Sequence, residues 1–328
     1  MNIDLTKSPK VGNSLLVVFT HSDKIKPLEI PFSEQIEINS SKDFLSEMKK
    51  SGEISGKKGE MTLLHSFLIE NFTFNSKHIS QKLHPKRLLF VGLGNSKNVN
   101  SEVLRESGAN IAKKISSLSL SDFSLILETS GMDDVAESIS SISEGLILGD
   151  YSFDEFKTDK KDSVSITAEL LLDEINDNHT AALDKSKITS IASIKARNLV
   201  NRPPNVVNPE YLKDFSVDLA DQNEKLDIEI FDKDKIIKLG MRAYLGVAQG
   251  SVAEPYGIKL THNGDPSNKD NNIWLIGKGI TFDSGGLSLK PSFGMLEMKS
   301  DMSGGAAVIT AMEAISKLNP KINVVGLC

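Results

Sequence analysis

The sequence of 328 residues predicts an α/β protein that is made of two domains. Its length exceeds what one hydrophobic core usually fills, which favours about two domains. Short apolar runs rich in branched residues alternate with longer helical patterns, as expected for helices packed on mostly parallel strands. Hydrophobic residues make up 39% and charged residues 25% of the chain, which is ordinary for globular proteins.

The first half contains three predicted strands and two predicted helices. "SLLVVF" (14–19) and "RLLFVGLG" (87–94) are short apolar runs typical of buried strands, and "DFSLILE" follows as a third. Apolar residues at helical spacing predict one helix before "DFSLILE" and another in "DDVAESISSISEGLILG". From Tyr151 the sequence loses this periodicity and becomes rich in charge. We therefore expect an N-terminal α/β domain over 1–160 and a second domain over 161–328.

The second half starts with a predicted strand, "SITAELLLD", and a long helix from about residue 180 to 200. That helix must end at "NRPPNVVNP", because Pro203 and Pro204 lack backbone donors and push the preceding residue out of the helical region. Asn208 is then the expected N-cap of a helix in "PEYLKDFSVDLADQ", which has proline in its first turn.

Beyond this helix, the sequence predicts a second set of strands. They are "LDIEIFD", "AYLGVAQGS", "GIKLTH", "NIWLIGKG" and "KINVVGLC". "KDKIIKLG" and "GGAAVITAMEAISKL" are predicted helices, and "THNGDPSNKDNN" is predicted to be a hairpin-like loop. Because a parallel sheet needs further crossovers and a natural domain rarely ends on a bare apolar strand, we expect the sequence to be incomplete at its C-terminus.

Composition excludes several classes of function. The net charge of -6 argues against a whole-protein electrostatic grip on nucleic acid. The N-terminus lacks a basic region and its nearest apolar run has six residues, so we expect a cytoplasmic protein with no membrane segment. Cys328 is the only cysteine and no H-E-x-x-H spacing occurs. Any metal must therefore be held mainly by oxygen ligands, together with amine ligands.

The stretch "GKGITFDSGGLSLKP" (277–291) combines charge with glycine directly after a predicted strand. Its spacing does not match G-x-x-x-x-G-K-[ST], which excludes a phosphate-binding P-loop. "VGLGN" (91–95) has G-x-G without the third glycine, so it indicates either a tight turn or a weak nucleotide site.

Four side chains in or near this stretch are candidates for a metal site. Lys278 and Asp283 lie at the C-terminal end of a strand, where open α/β sheets place their sites. Lys290 follows on the same loop, and Asp301 precedes a predicted helix. Converging carboxylates, with a neutral amine beside them, suit a divalent cation. The alternative is a solvated Asp-Ser-Gly-Gly turn with surface lysines, in which Asp301 is only a helix N-cap.

Several sequence blocks resemble the leucyl aminopeptidase family of cytosolic dinuclear-zinc exopeptidases. They are "EGLILGDYSFDEFK", "ARNLVNRPPNVVNPEYL", "VAQGS", "IGKGITFDSGGLSLKP" and "MLEMKSDMSGGAAVI". Together they cover the chain from about Glu144 to its end, and the N-terminal 140 residues fit the family's smaller α/β domain more loosely. The resemblance implies a zinc-exopeptidase-like α/β catalytic domain, and peptides with a free N-terminus as substrates.

The resemblance also implies roles for individual residues. Lys278, Asp283 and Asp301 match metal ligands of the family, and Lys290 matches the lysine that assists catalysis. Two divalent ions, zinc or manganese, are implied as cofactors, with bicarbonate as an additional one. A homo-hexamer is implied for the complete protein.

This chain also departs from the family pattern. The family carries a later Asn-Thr-Asp-Ala-Glu-Gly-Arg motif, and no such string occurs in this sequence. We therefore expect a fragment that is inactive on its own. The alternatives are a non-catalytic, DNA-binding or regulatory member of the family and a nucleotide-binding protein that uses "VGLGN". Neither side-chain preference nor the metal at each site follows from the sequence.

Overall fold

A computed structural model describes residues 1–8, 14–23, 36–38, 48, 50–65, 72–75, 80–83, 85–160, 164–268 and 270–328. These residues form two compact units, Met1–Lys187 and Ile188–Cys328. The predicted α/β class is confirmed, since each unit combines a sheet with helices. The predicted domain boundary between 160 and 161 stays a prediction, and residues 161–163 beside it lie outside the described part of the chain.

The strands and helices are numbered in chain order. The strands are β1 (Asn2–Thr6), β2 (Leu16–Thr20), β3 (Ile36–Ile38), β4 (Met61–His65), β5 (Phe72–Asn75), β6 (Ser80–Leu83), β7 (Arg87–Gly92), β8 (Asp122–Ile126), β9 (Thr167–Leu171), β10 (Asp227–Phe231), β11 (Gly257–Asn263), β12 (Asn272–Ile276) and β13 (Asn323–Leu327). The helices are α1 (Ser101–Ser117), α2 (Val135–Gly149), α3 (Asp177–Asn201), α4 (Pro209–Asp221), α5 (Lys233–Lys238), α6 (Arg242–Ala248), α7 (Ser292–Leu296) and α8 (Ser303–Leu318). In the described part of the chain, 3-10 helices span Ser96–Asn98, Leu127–Ser130 and Glu297–Met302.

The first unit is built on a six-stranded sheet in the order β1-β9-β8-β2-β7-β4. All its pairs are parallel except β4 with β7, which confirms the parallel prediction for this sheet. β9 pairs with β8 and β1 in this sheet, although its residues are predicted to belong to the second domain. Strands β3, β5 and β6 form a separate antiparallel sheet.

Helices α1 and α2 pack closely because glycines line their contact. A Cβ atom at Gly145 would lie 2.1 Å from the backbone oxygen of Arg105, and one at Gly108 would lie 2.6 Å from the backbone oxygen of Ile142. Real Cβ atoms do not approach backbone atoms this closely, so larger side chains here would push the helices apart.

The glycines of "VGLGN" have a role in the backbone of this unit. The amide of Gly94 donates to Gly56 O at 2.9 Å, and Gly94 has a φ of 84° that favours glycine. A Cβ atom at Gly92 would lie 2.1 Å from Lys57 O. These contacts account for both glycines through packing and turn geometry, as the tight-turn interpretation predicts.

The second unit is built on a four-stranded sheet in the order β10-β11-β13-β12. Only β12 and β13 are parallel, so the prediction of mostly parallel strands is wrong for this sheet. The hairpin prediction is also wrong, because β13 lies between β11 and β12. The side chain of Asn323, at the start of β13, holds the connecting loop by accepting from Asp265 N and donating to Asp265 O and Asn268 O, each at 2.9 Å.

A helix, α6, replaces the strand predicted for "AYLGVAQGS". Gly240 ends α5 in the left-handed region, and the amide of Met241 donates to Ile236 O, so the chain turns directly into α6. Val247 stays 67% exposed, and no residue of α6 is buried. The branched residues predicted a strand, but no neighbouring strand pairs with this segment to make one.

Helix α8 covers one face of the four-stranded sheet and positions the end of β12. Its buried residues Ala306, Ile309 and Met312 join the core of this unit with residues of β11 and β13. β12 forms one edge of the sheet, and Trp274 and Ile276 on it are 54% and 75% exposed.

The predicted Asn208 cap of α4 is confirmed, since its side chain accepts from Tyr211 N at 2.9 Å.

Among the described residues, no helix is both long enough and apolar enough to cross a lipid bilayer.

Candidate active site

The loop that follows β12 carries three of the four predicted site residues. The amide of Gly277 donates to Leu327 O at 2.9 Å and extends the pairing with β13, so Lys278 leaves the sheet at a fixed point. Gly285 and Gly286 have φ values of 90° and 68°, which turn the chain after Asp283. The amide of Lys290 then donates to Ser284 O at 2.9 Å, which folds Lys290 back towards Asp283.

The structure brings the four charged side chains together. Lys278 Nζ lies 2.7 Å from Asp301 Oδ2 and 3.8 Å from Asp283 Oδ2. Lys290 Nζ lies 3.2 Å from Asp283 Oδ2. Asp283 is therefore shared between the two lysines, and Asp301 approaches Lys278 from the 3-10 helix before α8.

Neighbouring groups in this cluster shift the pKa values of Asp283 and Lys278. The backbone amide of Gly285, followed by the Lys290 ammonium, holds the pKa of Asp283 below its ordinary value. The Asp301 carboxylate, with a smaller effect from Asp283, raises the pKa of Lys278 above its ordinary value. The Asp283 carboxylate is consequently ionised at neutral pH. A Lys278 amine that joined a metal would have to release its proton to solvent as the cation binds.

Asp301 is the most buried of the four, with 16% of its side chain exposed against 51% for Lys278. Its Oδ2 is buried, lies beside the Lys278 ammonium and accepts no hydrogen bond of proper angle within the described residues. The alternative that Asp301 serves as the N-cap of the helix is wrong. Met302 holds the cap position of α8, and no side chain caps it.

The donor set fits a divalent cation. A buried carboxylate oxygen, a second carboxylate and an amine within 4 Å of both are ligand types that such ions accept. Burial raises the pKa of Cys328 to about 12, which disfavours the thiolate form of its side chain. Within the described ranges no three His, Cys, Asp or Glu side chains form a metal-binding group, which leaves two carboxylates and Lys278 as the donors.

Apolar side chains surround the loop on the solvent side. Five of them, in the loop and in α7, are 42–110% exposed: Phe282, Leu287, Leu289, Phe293 and Leu296. Together with the β12 edge they form a contiguous stretch of sequence in which large apolar groups face water. Such exposure of neighbouring apolar side chains is unusual for a surface that contacts only water.

Comparison with protein families supports the resemblance noted in the sequence. Residues 194–328 match the catalytic domain of the cytosol aminopeptidase family, and residues 16–160 match the N-terminal domain of the same family. This chain belongs to the cytosol aminopeptidase family. All four candidate residues lie in the part that matches the catalytic domain of the family.

Curated relatives extend beyond this chain. The chain is 34% identical over 287 residues to a probable cytosol aminopeptidase of Haemophilus influenzae strain PittEE, covering 87% of this chain and 55% of the relative. It is 34% identical to a probable cytosol aminopeptidase of Clostridium perfringens strain 13, covering 73% of this chain and 49% of that relative. The chain thus spans about half the length of the curated relatives it matches.

Solved structures agree on the fold. The bottromycin maturation enzyme BotP in complex with Mn matches with a TM-score of 0.73 at 24% identity, covering 96% of this chain and 59% of BotP. A mutant of tomato leucine aminopeptidase matches with a TM-score of 0.75 at 22% identity, covering 100% of this chain and 62% of the tomato chain.

Sequence reasoning missed how the residues around the site are anchored. Lys299 Nζ donates to Asn201 O at 3.0 Å, which ties the 3-10 helix of Asp301 to the end of α3. The two residues are 98 positions apart, and no sequence pattern links them. The glycines that contact each other between β12 and α8 were also missed, although "GKG" and "SGG" could have suggested a close backbone approach.

Proposed function

We propose that this protein is a metal-dependent aminopeptidase that releases N-terminal amino acids from peptides. The observation that carries the proposal is the convergence of Lys278, Asp283, Asp301 and Lys290 in the part of the chain that matches the catalytic domain. The names of the relatives agree with this activity, and the complex of BotP with Mn agrees with a metal centre.

Three of the four residues would hold the cofactor. Lys278, Asp283 and Asp301 would bind two divalent ions, zinc or manganese, with help from further donors. Ions bound there supply Lewis-acid polarisation of a peptide carbonyl and a water of lowered pKa, and bicarbonate would serve as an additional base. The free α-amine of a substrate would complete the donor set, which restricts hydrolysis to the N-terminal residue.

Lys290 would act on the substrate itself. Its ammonium lies 3.2 Å from Asp283 Oδ2 and is 31% exposed, so it is held by one carboxylate while remaining open to solvent on another side. A lysine in this position can donate a hydrogen bond to the scissile carbonyl oxygen and to the negative charge that develops on it. Asp283 keeps the ammonium close to the donor set, and the turn at Gly285 keeps Asp283 in place.

We also propose that these 328 residues supply only part of the active site. Two carboxylates leave much of the charge of two divalent ions uncompensated, and the apolar edge around β12 is suited to contact with further polypeptide. The complete protein would be a cytoplasmic homo-hexamer, consistent with the cytosolic naming of its relatives. The DNA-binding alternative gains no support from the net charge of -6.

Hydrolysis of leucine-p-nitroanilide in the presence of Mn²⁺ tests this proposal. The chain alone should release no p-nitroaniline, whereas the chain joined to the remaining length of the Haemophilus influenzae relative should hydrolyse the substrate. In the joined protein, Lys290→Met should lower kcat by about 10²–10³-fold, the usual cost of losing one oxyanion donor. Lys321→Met, at an exposed lysine of the same unit, is the control. Equal activity of both variants would refute the role of Lys290, and a joined protein that folds but hydrolyses no N-terminal residue would refute the aminopeptidase.

A further inference from the structure

Two glycine-rich segments meet between the end of β12 and the start of α8. Gly277 follows β12 directly, and Gly304 is the second residue of α8. A Cβ atom at Gly277 would lie 2.2 Å from Gly304 O and 2.8 Å from Gly305 N. Because real Cβ atoms stay farther than this from backbone atoms, only glycine at 277 allows the two backbones to approach as they do.

The same contact includes a hydrogen bond that caps α8. The amide of Gly305 donates to the carbonyl oxygen of Lys278 at 2.7 Å. Helix N-termini leave their first amides without partners inside the helix, and Met302 provides no side-chain cap to α8. The backbone of Lys278 therefore satisfies one of these amides, which joins the β12 loop to the start of the helix.

The candidate ligands lie on opposite sides of this contact. Lys278 and Asp283 belong to the loop that begins at Gly277, and Asp301 lies three residues before Gly304. Lys278 can adjust through its long side chain, but an aspartate is short, and Asp301 is mostly buried. The distance between the two carboxylates is thus set by how closely the two backbones approach.

From this geometry we infer that Gly277 is a positioning residue for the metal centre: its contact with Gly304 sets the spacing between Asp283 and Asp301. The inference rests on the proposed function, because it assumes that these carboxylates bind the same cofactor. Metal sites tolerate ligand displacements of only about 0.2 Å, and a Cβ atom at 277 would force the backbones apart by more than that.

Gly279 provides a matched control in the same loop. A Cβ atom there would lie 3.7 Å from Cys328 Cβ and Sγ, an ordinary contact distance, and its φ is not in the left-handed region. Gly304→Ala is an intermediate case, since its Cβ would lie 2.9 Å from Lys278 N. The three alanine variants therefore have graded steric effects at one place.

Titration of Mn²⁺ into the chain joined to the remaining length of the Haemophilus influenzae relative, followed by the loss of the free-ion electron paramagnetic resonance signal, tests this inference. Gly279→Ala should bind Mn²⁺ as tightly as the wild type, and Gly277→Ala should bind at least tenfold more weakly, the usual effect of disturbing the groups that orient metal ligands. Gly304→Ala should bind Mn²⁺ with an affinity between those of the other two variants, so the test remains decisive if Gly277→Ala does not fold. Circular dichroism identifies the folded variants.

The possible results separate this inference from the proposed function. If the wild type binds Mn²⁺ and the folded Gly277→Ala and Gly304→Ala variants bind it equally well, Gly277 does not position the site. If the joined protein with the wild-type glycines itself binds no Mn²⁺, the proposed metal centre is wrong and the inference fails with it.

Discussion

The buried carboxylate of Glu313 joins two helices of the second unit through charge. Only 5% of its side chain is exposed, and its Oε1 accepts hydrogen bonds from Lys195 of α3 and Lys317 of α8, both at 2.6 Å. Burial raises the pKa of Glu313, but the bonds from the two lysines outweigh burial, so the net pKa lies below its ordinary value. We predict that Glu313→Gln destabilises this unit.

The size of the effect follows from these contacts. A hydrogen bond to a charged group contributes about 1.5–3 kcal/mol, and the bond from Lys317, four residues along the same helix, contributes about 0.3–0.5 kcal/mol. Lys195 and Lys317 are 35% and 41% exposed, which screens both interactions. We expect Glu313→Gln to lower the free energy of unfolding by about 2 kcal/mol and the Tm by roughly 4–8 °C.

Urea unfolding followed by the fluorescence of Trp274 measures this change, because Trp274 is the only tryptophan and lies in the same unit. Lys195→Met should lower the free energy of unfolding by about 1–2 kcal/mol, which is most of the loss expected for Glu313→Gln. Lys317→Met, the matched control, should lower it by about 0.5 kcal/mol or less. A Glu313→Gln protein as stable as the wild type, or equal losses for the two lysine variants, would refute the reasoning.

The effect should also depend on pH with a defined sign. Because the pKa of Glu313 is lowered in the folded state, its stabilisation is fully present above the ordinary value of 4.5 and is lost as pH falls through the folded pKa. The difference between wild type and Glu313→Gln should therefore be complete at neutral pH and shrink below 4.5. A difference that is constant across this range would show that the charge of Glu313 is not the cause.

Two further predictions concern packing and capping. Gly145→Ala should destabilise the first unit by about 1–3 kcal/mol, because its Cβ would overlap Arg105 O. Gly246→Ala lies in α6, where no atom is within 4 Å of the new Cβ, so its free energy of unfolding should stay the same or rise by about 0.5–1 kcal/mol. Thermal unfolding by circular dichroism compares them, and equal shifts would contradict the packing account. Asn208→Ala should cost about 1 kcal/mol in urea unfolding through loss of the bond to Tyr211 N, and an unchanged midpoint would show that this cap contributes nothing.

The sequence predicted the elements that depend on local patterns. Helices α1, α3 and α4 follow apolar spacing or capping residues, and the Asn208 cap is a short-range signal that needs no tertiary information. Sheet order is a long-range property. The insertion of β13 between β11 and β12 depends on pairing between residues about 50 positions apart or more, such as Asn272 with Asn323, which periodicity does not report.

The candidate site was predicted in its residue types and not in its geometry. The spacing of Lys278, Asp283 and Lys290 within one loop identified them as neighbours, because the glycines between them allow a tight turn. That Asp301 meets Lys278 depends on the approach of two backbones at Gly277 and Gly304, and on the anchoring of Lys299 to α3. These contacts join segments that are distant in the chain, so the glycines of "GKG" and "SGG" are the only hint of them in the sequence.

Metal binding by Asp301 is the most direct test of the account. Mn²⁺ titration of the chain joined to the remaining length of the Haemophilus influenzae relative should show saturable binding, and Asp301→Asn in the joined protein should weaken that binding at least tenfold, because the substitution keeps the shape of the side chain and removes its charge. Asp265→Asn, in the loop held by Asn323, should bind Mn²⁺ like the wild type. Equal Mn²⁺ affinity in the wild type and in folded Asp301→Asn would contradict the central claim that Lys278, Asp283 and Asp301 form a metal centre.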